Sequence, residues 1–268
     1  MDHVLAKWIE GRPKPHGQAR LLCVHPFVRL MHRYIEDYCN HHDTSVCLEI
    51  MDPDYVVHIA GRSHVGRDDR YVPAASAAFA NFPDLHLVVH ELHTNGDRLV
   101  MRFTERGRNR ETGRVAAWGG IGLYDWNGVA LTSNWVEQDY ESRRRQVEGE
   151  TGPDPVDAVP VDPWSVEVLA AEPSALDVAE RWLRAGDWFD AASVVIDDSW
   201  ITGHADLPLE VASVEIDDIF SVGRTVAAHA GLSDSRGRRL NASAIVRVDG
   251  SQVVAMRAVT DRLAFASR

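Results

Sequence analysis

The chain has 268 residues, 45% of them hydrophobic and 25% charged, which excludes fibrous and disordered classes and leaves room for one large domain or two ordinary ones. Forty acidic side chains against 28 basic give a formal charge of -12, which repels a phosphate backbone and argues against nucleic acid as a partner. The cysteines are Cys23, Cys39 and Cys47, with no CxxC spacing, so they read as small buried hydrophobes in a reducing compartment rather than a disulfide framework or a zinc site.

In chain order, the stretch MDHVLAKWIEGRPKPHGQ lacks a long apolar core and no later window reaches bilayer length, so a cytoplasmic protein with no membrane partner is expected. Val28 to Asp43 has apolar residues at helical spacing, with Leu30, Met31, Tyr34, Ile35 and Tyr38 in one stripe. CLEIMDPDYVVHIAG predicts a helical turn followed by a strand, and RYVPAASAAFANFP a helix. From Leu85 the pattern changes to strands separated by turns: LHLVVHELHTNGD, RLVMRFTERGRN, GRVAAWGGIGLYDWNG and VALTSNWVEQD, with Asn-Gly turns in TNGD and WNG. Helices followed by an antiparallel meander predict an α+β fold with helices on one face of a curved sheet.

The segment 149–164, GETGPDPVDAVPVDPW, is rich in proline and acid and reads as a linker between a first domain, 1–148 with an N-terminal extension, and a second, 165–268. The second half repeats the order in shortened form: SALDVAERWLRAGDWFDAASVVIDDSWITGH as helix, turn and strand, then EVASVEIDDIF, RTVAAHAGLSDSRG, RLNASAIVRVDG and SQVVAMRAVTDRL as four strands. The likeness of HRYIEDYCNHHD to ERWLRAGDWFD and of NWVEQD to RAVTD suggests duplication followed by divergence.

The opening helix, DYVVHIAG, FPDLHLVVHEL, NGDRLVMRFTERGRN, WGGIGLYDWNG and NWVEQDYESRRRQVEG occur in an order that resembles the SnoaL-like polyketide cyclases of the nuclear transport factor 2-like superfamily. That resemblance spans roughly Val28 to Gly149, and the second half fits only loosely. It implies a cone, a curved antiparallel sheet wrapped around helices over an apolar cavity, and hence two tandem cones, the second degenerate. It also implies that Asp139 acts as catalytic acid/base and that His58 matches the family histidine, with Asp261 in the place of Asp139 in the second half.

Strand alternation puts Leu131, Ser133, Trp135, Glu137 and Asp139 on one face of the last long strand, and its larger apolar side chains predict that this face lines the cavity. Periodicity alone leaves open whether the two acids lie there or are exposed and paired with Arg143 to Arg145, and the resemblance favours Asp139. His58 is the expected partner of a substrate oxygen or of Asp139. Tyr34, Tyr38, Phe79, Phe82, Trp118, Trp135 and Glu137 are the expected substrate-binding residues, and Trp182, Trp188, Trp200, His204 and Asp261 are their candidates in the second half. The run Arg143 to Arg145 reads as a solvated helical end with local ion pairs.

Thirteen histidines raise the question of a metal. His41 and His42 are adjacent, and His86 and His90 would stand about 13 Å apart along a strand. Neither spacing suits a metal site, and Gly119 to Gly122 is no dinucleotide fingerprint, so no metal and no cofactor are expected. The glycines read instead as places of strand bending or close packing.

The leading expectation is a cofactor-independent cyclase or isomerase acting on a hydrophobic, polyketide-like carbonyl compound. An alternative is an epoxide hydrolase or epoxide-opening cyclase, in which Arg102 bridges Asp139 and another acid. A third is a non-catalytic small-molecule-binding or assembly module. For partners, the expectation is a hydrophobic small molecule and an intramolecular pseudodimer of the two halves, with a homodimer of whole chains as the alternative.

Overall fold

The computed structural model describes residues 24–150, 162–186, 188, 193–196 and 209–266. The extension before residue 24, most of the 149–164 segment, Cys23, Trp200 and His204 lie outside the described residues.

Helix α1, Pro26–Arg33, begins with a proline whose missing N–H costs nothing in a first turn, and continues as a π-helical segment, Tyr34–Asn40. The stripe expected from spacing is the buried one: Leu30, Met31, Tyr34, Ile35 and Tyr38 all enter the core. A short helix α2, Cys47–Ile50, leads into β1, Met51–Ile59, and β2, Arg62–Val65. A π-helical turn, Arg67–Tyr71, precedes α3, Val72–Asn81. The meander follows as β3, His86–Thr94; β4, Arg98–Arg108; β5, Val115–Trp126; and β6, Leu131–Gln138, closed by α4, Tyr140–Glu148.

These strands form one sheet in the order β2-β1-β6-β5-β4-β3, antiparallel except that β1 runs parallel to β6. Gly96 and Gly128, of the two Asn-Gly turns, have φ of +98° and +89°, the left-handed region where only glycine is unstrained. Helix α1, its π-helical extension and α3 cover one face of this sheet, and their apolar residues make the first core.

The second half contributes helix α5, Pro173–Ala185, and the strands β7, Ser193–Ile196; β8, Ser213–Val222; β9, Thr225–Ser233; β10, Arg239–Asp249; and β11, Gln252–Thr260, before a last helical turn, α6, Arg262–Ala266. The sheet order is β7-β11-β10-β9-β8, with β7 parallel to β11, which is the order of the first sheet without its β2 edge. Helix α5 and Trp188 pack Ala175, Ala179 and Leu183 onto one face of this sheet. Trp188 is 1% exposed and donates Nε1–H to the Leu183 carbonyl, so it is a core residue of the second half.

The other faces of the two sheets meet. Val100, Ile121 and Leu123 of the first sheet pack on Phe220, Val222, Ala227, Ile245 and Val259 of the second. At about 1.5–3 kcal/mol for each fully buried large aliphatic or aromatic side chain, this apolar seam is a substantial source of cohesion. It also decides where β6 points, because the pattern of Ser133, Trp135 and Glu137 is satisfied by burial against a second sheet.

Candidate active site

A cavity of about 240 Å³ lies between the first sheet and its helices. Five residues expected at a binding site line it: Tyr34, Tyr38, Phe79, Phe82 and Trp118. The sheet contributes Phe103 and Glu105 from β4, Trp118 and Tyr124 from β5, and Asn134, Val136 and Gln138 from β6, while α4 adds Tyr140 and Arg143. Glycines shape the wall. A Cβ on Gly120 would stand 2.3 Å from Phe103 Cζ, and one on Gly122 would stand 2.7 Å from the Tyr124 hydroxyl, so both rings lie flat across bare backbone.

Glu105 is the one carboxylate in the lining. It sits opposite Trp118 in the β4–β5 register, and Gln138 reaches the same place from β6. Trp118 Nε1–H donates to Gln138 Oε1 at 2.9 Å. Burial raises the Glu105 pKa to about 7, opposed by the charge of Arg143 and by hydrogen bonds with Trp118 and Gln138. A carboxyl group poised near neutrality exchanges a proton in either direction.

Arg143 lies with its guanidinium carbon 4.1 Å from the Tyr140 ring centroid, 5.1 Å from that of Trp118 and 5.7 Å from that of Phe82. Its placement starts at Asp139, the N-cap of α4, whose carboxylate accepts from the Ser142 backbone N–H at 3.0 Å and from the Ser142 hydroxyl. One turn later the helix turns Arg143 onto the cavity.

The remaining polar lining is a cluster of hydroxyls. Tyr71 shares hydrogen bonds with Tyr34 at 2.9 Å and Tyr38 at 3.2 Å, and the Tyr124 ring meets that of Tyr34 edge-on at 5.8 Å between centroids. Burial drives the pKa values of Tyr34, Tyr38, Tyr71 and Tyr124 upward, so all four stay protonated and able to donate.

The structure places Asp139, His58, Trp135 and Glu137 elsewhere, a correction to the expected cavity face. A bulge in β6 between Leu131 and Ser133 breaks the period of two: Leu131 joins the first core, whereas Trp135 and Glu137 point to the seam. Asp139 is 2% exposed, and besides Ser142 it meets Arg262 at 3.4 Å. Burial raises its pKa, opposed by Arg262 and Ser142. Asp261 occupies the same place in the second half: its N–H donates to the Asn241 carbonyl as that of Asp139 does to Gly119, both at 3.0 Å. Both aspartates open a helical turn and hold backbone rather than facing a void.

His58 stacks on Trp135 at 3.8 Å between centroids and bonds to Ser63 at 2.7 Å. Burial lowers its pKa, with the charge of His229 acting in the same direction. Glu137 is 1% exposed and clamped: His229 Nε2 lies 3.1 Å from it, and the Ala60 N–H donates to both carboxylate oxygens at 3.2 Å. His229 in turn meets Asp217 at 2.9 Å. Burial raises Glu137 to about 7 against the hydrogen bond and charge of His229. Burial lowers His229, but its bonds to Asp217 and Glu137 outweigh it and raise its pKa above the ordinary imidazole value.

The epoxide arrangement does not assemble in the cavity: neither Arg102, which meets Glu91 at 3.7 Å, nor Asp139 is among the residues that line it. Among the described residues, no three His, Cys, Asp or Glu side chains are grouped to hold a metal, and no helix is long and apolar enough to cross a membrane. Of the arginine run, Arg144 and Arg145 make ion pairs with Glu141, Glu148 and Glu150, as a solvated helical end does, but Arg143 does not. Glu105 and Arg143 were both missed, and each had a signal. The alternation that turns Leu99, Met101 and Phe103 inward carries on to Glu105, and Tyr140, Arg143 and Val147 share one helix face.

Residues 31–131 match the SnoaL-like domain family. Solved structures of similar shape include a Jannaschia sp. CCS1 protein designated a SnoaL-like polyketide cyclase, with 16% identity over 46% of this chain and 92% of that one and a TM-score of 0.43. IdmH from Streptomyces antibioticus, designated a polyketide cyclase, has 20% identity over 46% and 99% with a TM-score of 0.42. TsrD from Streptomyces laurentii has 21% identity over 49% and 97% with a TM-score of 0.41. No functionally curated protein matches the sequence.

Proposed function

We propose that the cavity, enclosed in part by the segment 31–131 that matches the SnoaL-like domain family, is the active site of a cofactor-independent cyclase or isomerase acting on a hydrophobic carbonyl compound. The observation that carries the reading is Glu105, a single carboxyl group in the wall of an apolar cavity with its pKa raised by burial to about 7. In its ionised form Glu105 removes a proton from a carbon activated by a neighbouring carbonyl. The enolate oxygen receives hydrogen bonds from the buried tyrosine hydroxyls, which cannot ionise near neutral pH and so remain donors. Protonated Glu105 then returns the proton to a different carbon in an isomerisation, or to the new alkoxide once the enolate carbon has closed on a second carbonyl.

The test is solvent-deuterium uptake at the α-carbon of 2-tetralone, followed by proton NMR, in the wild type and in Glu105→Gln. Catalysed exchange that disappears in E105Q supports the reading. Exchange that persists in E105Q removes Glu105 from it, and saturable binding without exchange favours a small-molecule-binding module.

For the second half, our reading is a shortened copy of the same fold that pairs with the first as an intramolecular pseudodimer, joined through the 149–164 linker. The shared strand order, the apolar seam and the matching positions of Asp139 and Asp261 support it. A monomeric mass in solution is the expected result, and a stable dimer of whole chains would speak against its simplest form.

A further inference from the structure

The charged side chains lining the cavity are unbalanced for so acidic a protein. Besides Glu105 they are His64, Arg70 and Arg143, all of which are basic. Among the described residues, neither Arg70 nor Arg143 has a carboxylate within ion-pair distance. The two residues after Arg143 do: Arg144 pairs with Glu141 at 2.7 Å and Glu148 at 2.6 Å, and Arg145 pairs with Glu150. Arg143 instead lies against Tyr140, Trp118 and Phe82. Rings stacked on a guanidinium hold its plane and leave its N–H edges unused, which is the arrangement that receives a planar oxyanion bidentately.

We propose that the cavity selects an apolar compound bearing one carboxylate, seated on the N–H edges of Arg143, with Arg70 and His64 at the rim attracting it. This rests on the cavity being the ligand site, and it adds the substrate's charge to that reading. It has a consequence for Glu105, whose ionised form Arg143 now favours. A bound carboxylate neutralises that influence and adds a like charge nearby, so Glu105 is shifted toward its protonated form as the ligand binds.

The experiment is isothermal titration calorimetry of the full chain with 2-naphthoate and with its neutral counterpart 2-acetonaphthone, in two buffers of different ionisation enthalpy near pH 7. The expected result is naphthoate binding about tenfold tighter than the ketone, with net proton uptake for naphthoate alone. Arg143→Gln should reduce the preference to less than about twofold, with circular dichroism reporting whether the variant is folded. Arg143→Lys should keep part of it, as a point charge without the planar fork. In the wild type the preference should shrink as salt is raised, a measurement that stands even where R143Q does not fold. Equal affinity for both probes, or a preference that survives in R143Q, overturns the inference and leaves the cavity reading intact. Failure of both probes to bind overturns the two together.

Discussion

Two glutamates, one on each side of the first sheet, have the same perturbed acidity and opposite circumstances. Glu105, on β4, faces the cavity, and Glu137, on β6, faces the seam; burial raises both to about 7. Glu137 is enclosed by His229 and by the Ala60 N–H, and that histidine is held by Asp217, which Arg239 holds in turn at 2.7 Å. Both oxygens of the Glu137 carboxylate are hydrogen-bonded, and one of them ties the first sheet to His229 of the second. Glu105 has Trp118, Gln138 and the charge of Arg143 beside it, and on its remaining side a space large enough for a ligand. A shifted pKa therefore marks burial, and it marks chemistry only where there is room for a reactant.

The comparison is broken or sharpened most directly by exchanging each glutamate for glutamine. Glu105→Gln should lower the catalysed exchange rate by at least about 100-fold, the usual loss on removing an acid–base group, whereas Glu137→Gln should leave it within about twofold. In the wild type the rate should rise with pH through about 7, where Glu105 ionises. Stability should move the other way. The folded pKa of Glu105 lies above its ordinary value of 4.5, so its burial costs nothing below 4.5 and most above 7. E105Q should therefore be more stable than the wild type at pH 8 and little different at pH 4.5, by urea denaturation. Equal activity losses in E105Q and E137Q would mean that the seam, too, takes part in the chemistry.

On the seam side, His229→Ala should cost about 3 kcal/mol of unfolding free energy, as breaking a buried ion pair usually does. The folded pKa of His229 is raised, so its contribution is fully present below 6.5 and is lost as pH rises through the folded value. The penalty should thus be larger at pH 6 than at pH 9, while naphthoate binding is unchanged. A penalty independent of pH would mean that His229 acts only by filling space.

A smaller effect is expected from the cavity wall. Gly120→Ala would drive a methyl group to 2.3 Å from Phe103, a ring that lines the cavity. Overpacking of this kind costs about 1–3 kcal/mol, and calorimetry should show weakened binding of both naphthyl probes.

Much of the first half was legible in the amino-acid pattern. The helical stripe from Leu30 to Tyr38, the four strands of the meander and both Asn-Gly turns follow from periodicity and turn chemistry, and Tyr34, Tyr38, Phe79, Phe82 and Trp118 do line the cavity. The face of β6 was not legible, for two physical reasons. The bulge between Leu131 and Ser133 inserts a residue where strict alternation was assumed. Beyond it, the apolar character of Trp135 reflects burial against the second sheet, and local pattern cannot say whether a buried face meets a cavity or another sheet. Asp139 shows the same limit, since an aspartate after a strand and three residues before Ser142 suits a helix cap as well as a catalytic site. In the second half, the strand order was readable but Trp188 was not distinguishable from a pocket residue, because a tryptophan that fills a core and one that lines a void look alike in sequence.

The smallest expected effect belongs to His58, on the seam side of β1. Its ring covers Trp135 at 3.8 Å and bonds to Ser63 in the neighbouring strand, and burial favours its neutral form. A neutral imidazole stacked at the rim of an interface contributes contact area and one local hydrogen bond, so His58→Ala should cost about 1 kcal/mol. Because the neutral form is the stable one, the cost should hardly change between pH 6.5 and pH 9, in contrast to His229, although Trp135 touches both rings. Exchange at 2-tetralone should be untouched, since Val57 and Ile59 on either side of His58 face the cavity and His58 does not. A tenfold loss of exchange in H58A, with stability preserved, would show that the seam face communicates with the cavity through β1, and would erase the division between the two sides of the sheet.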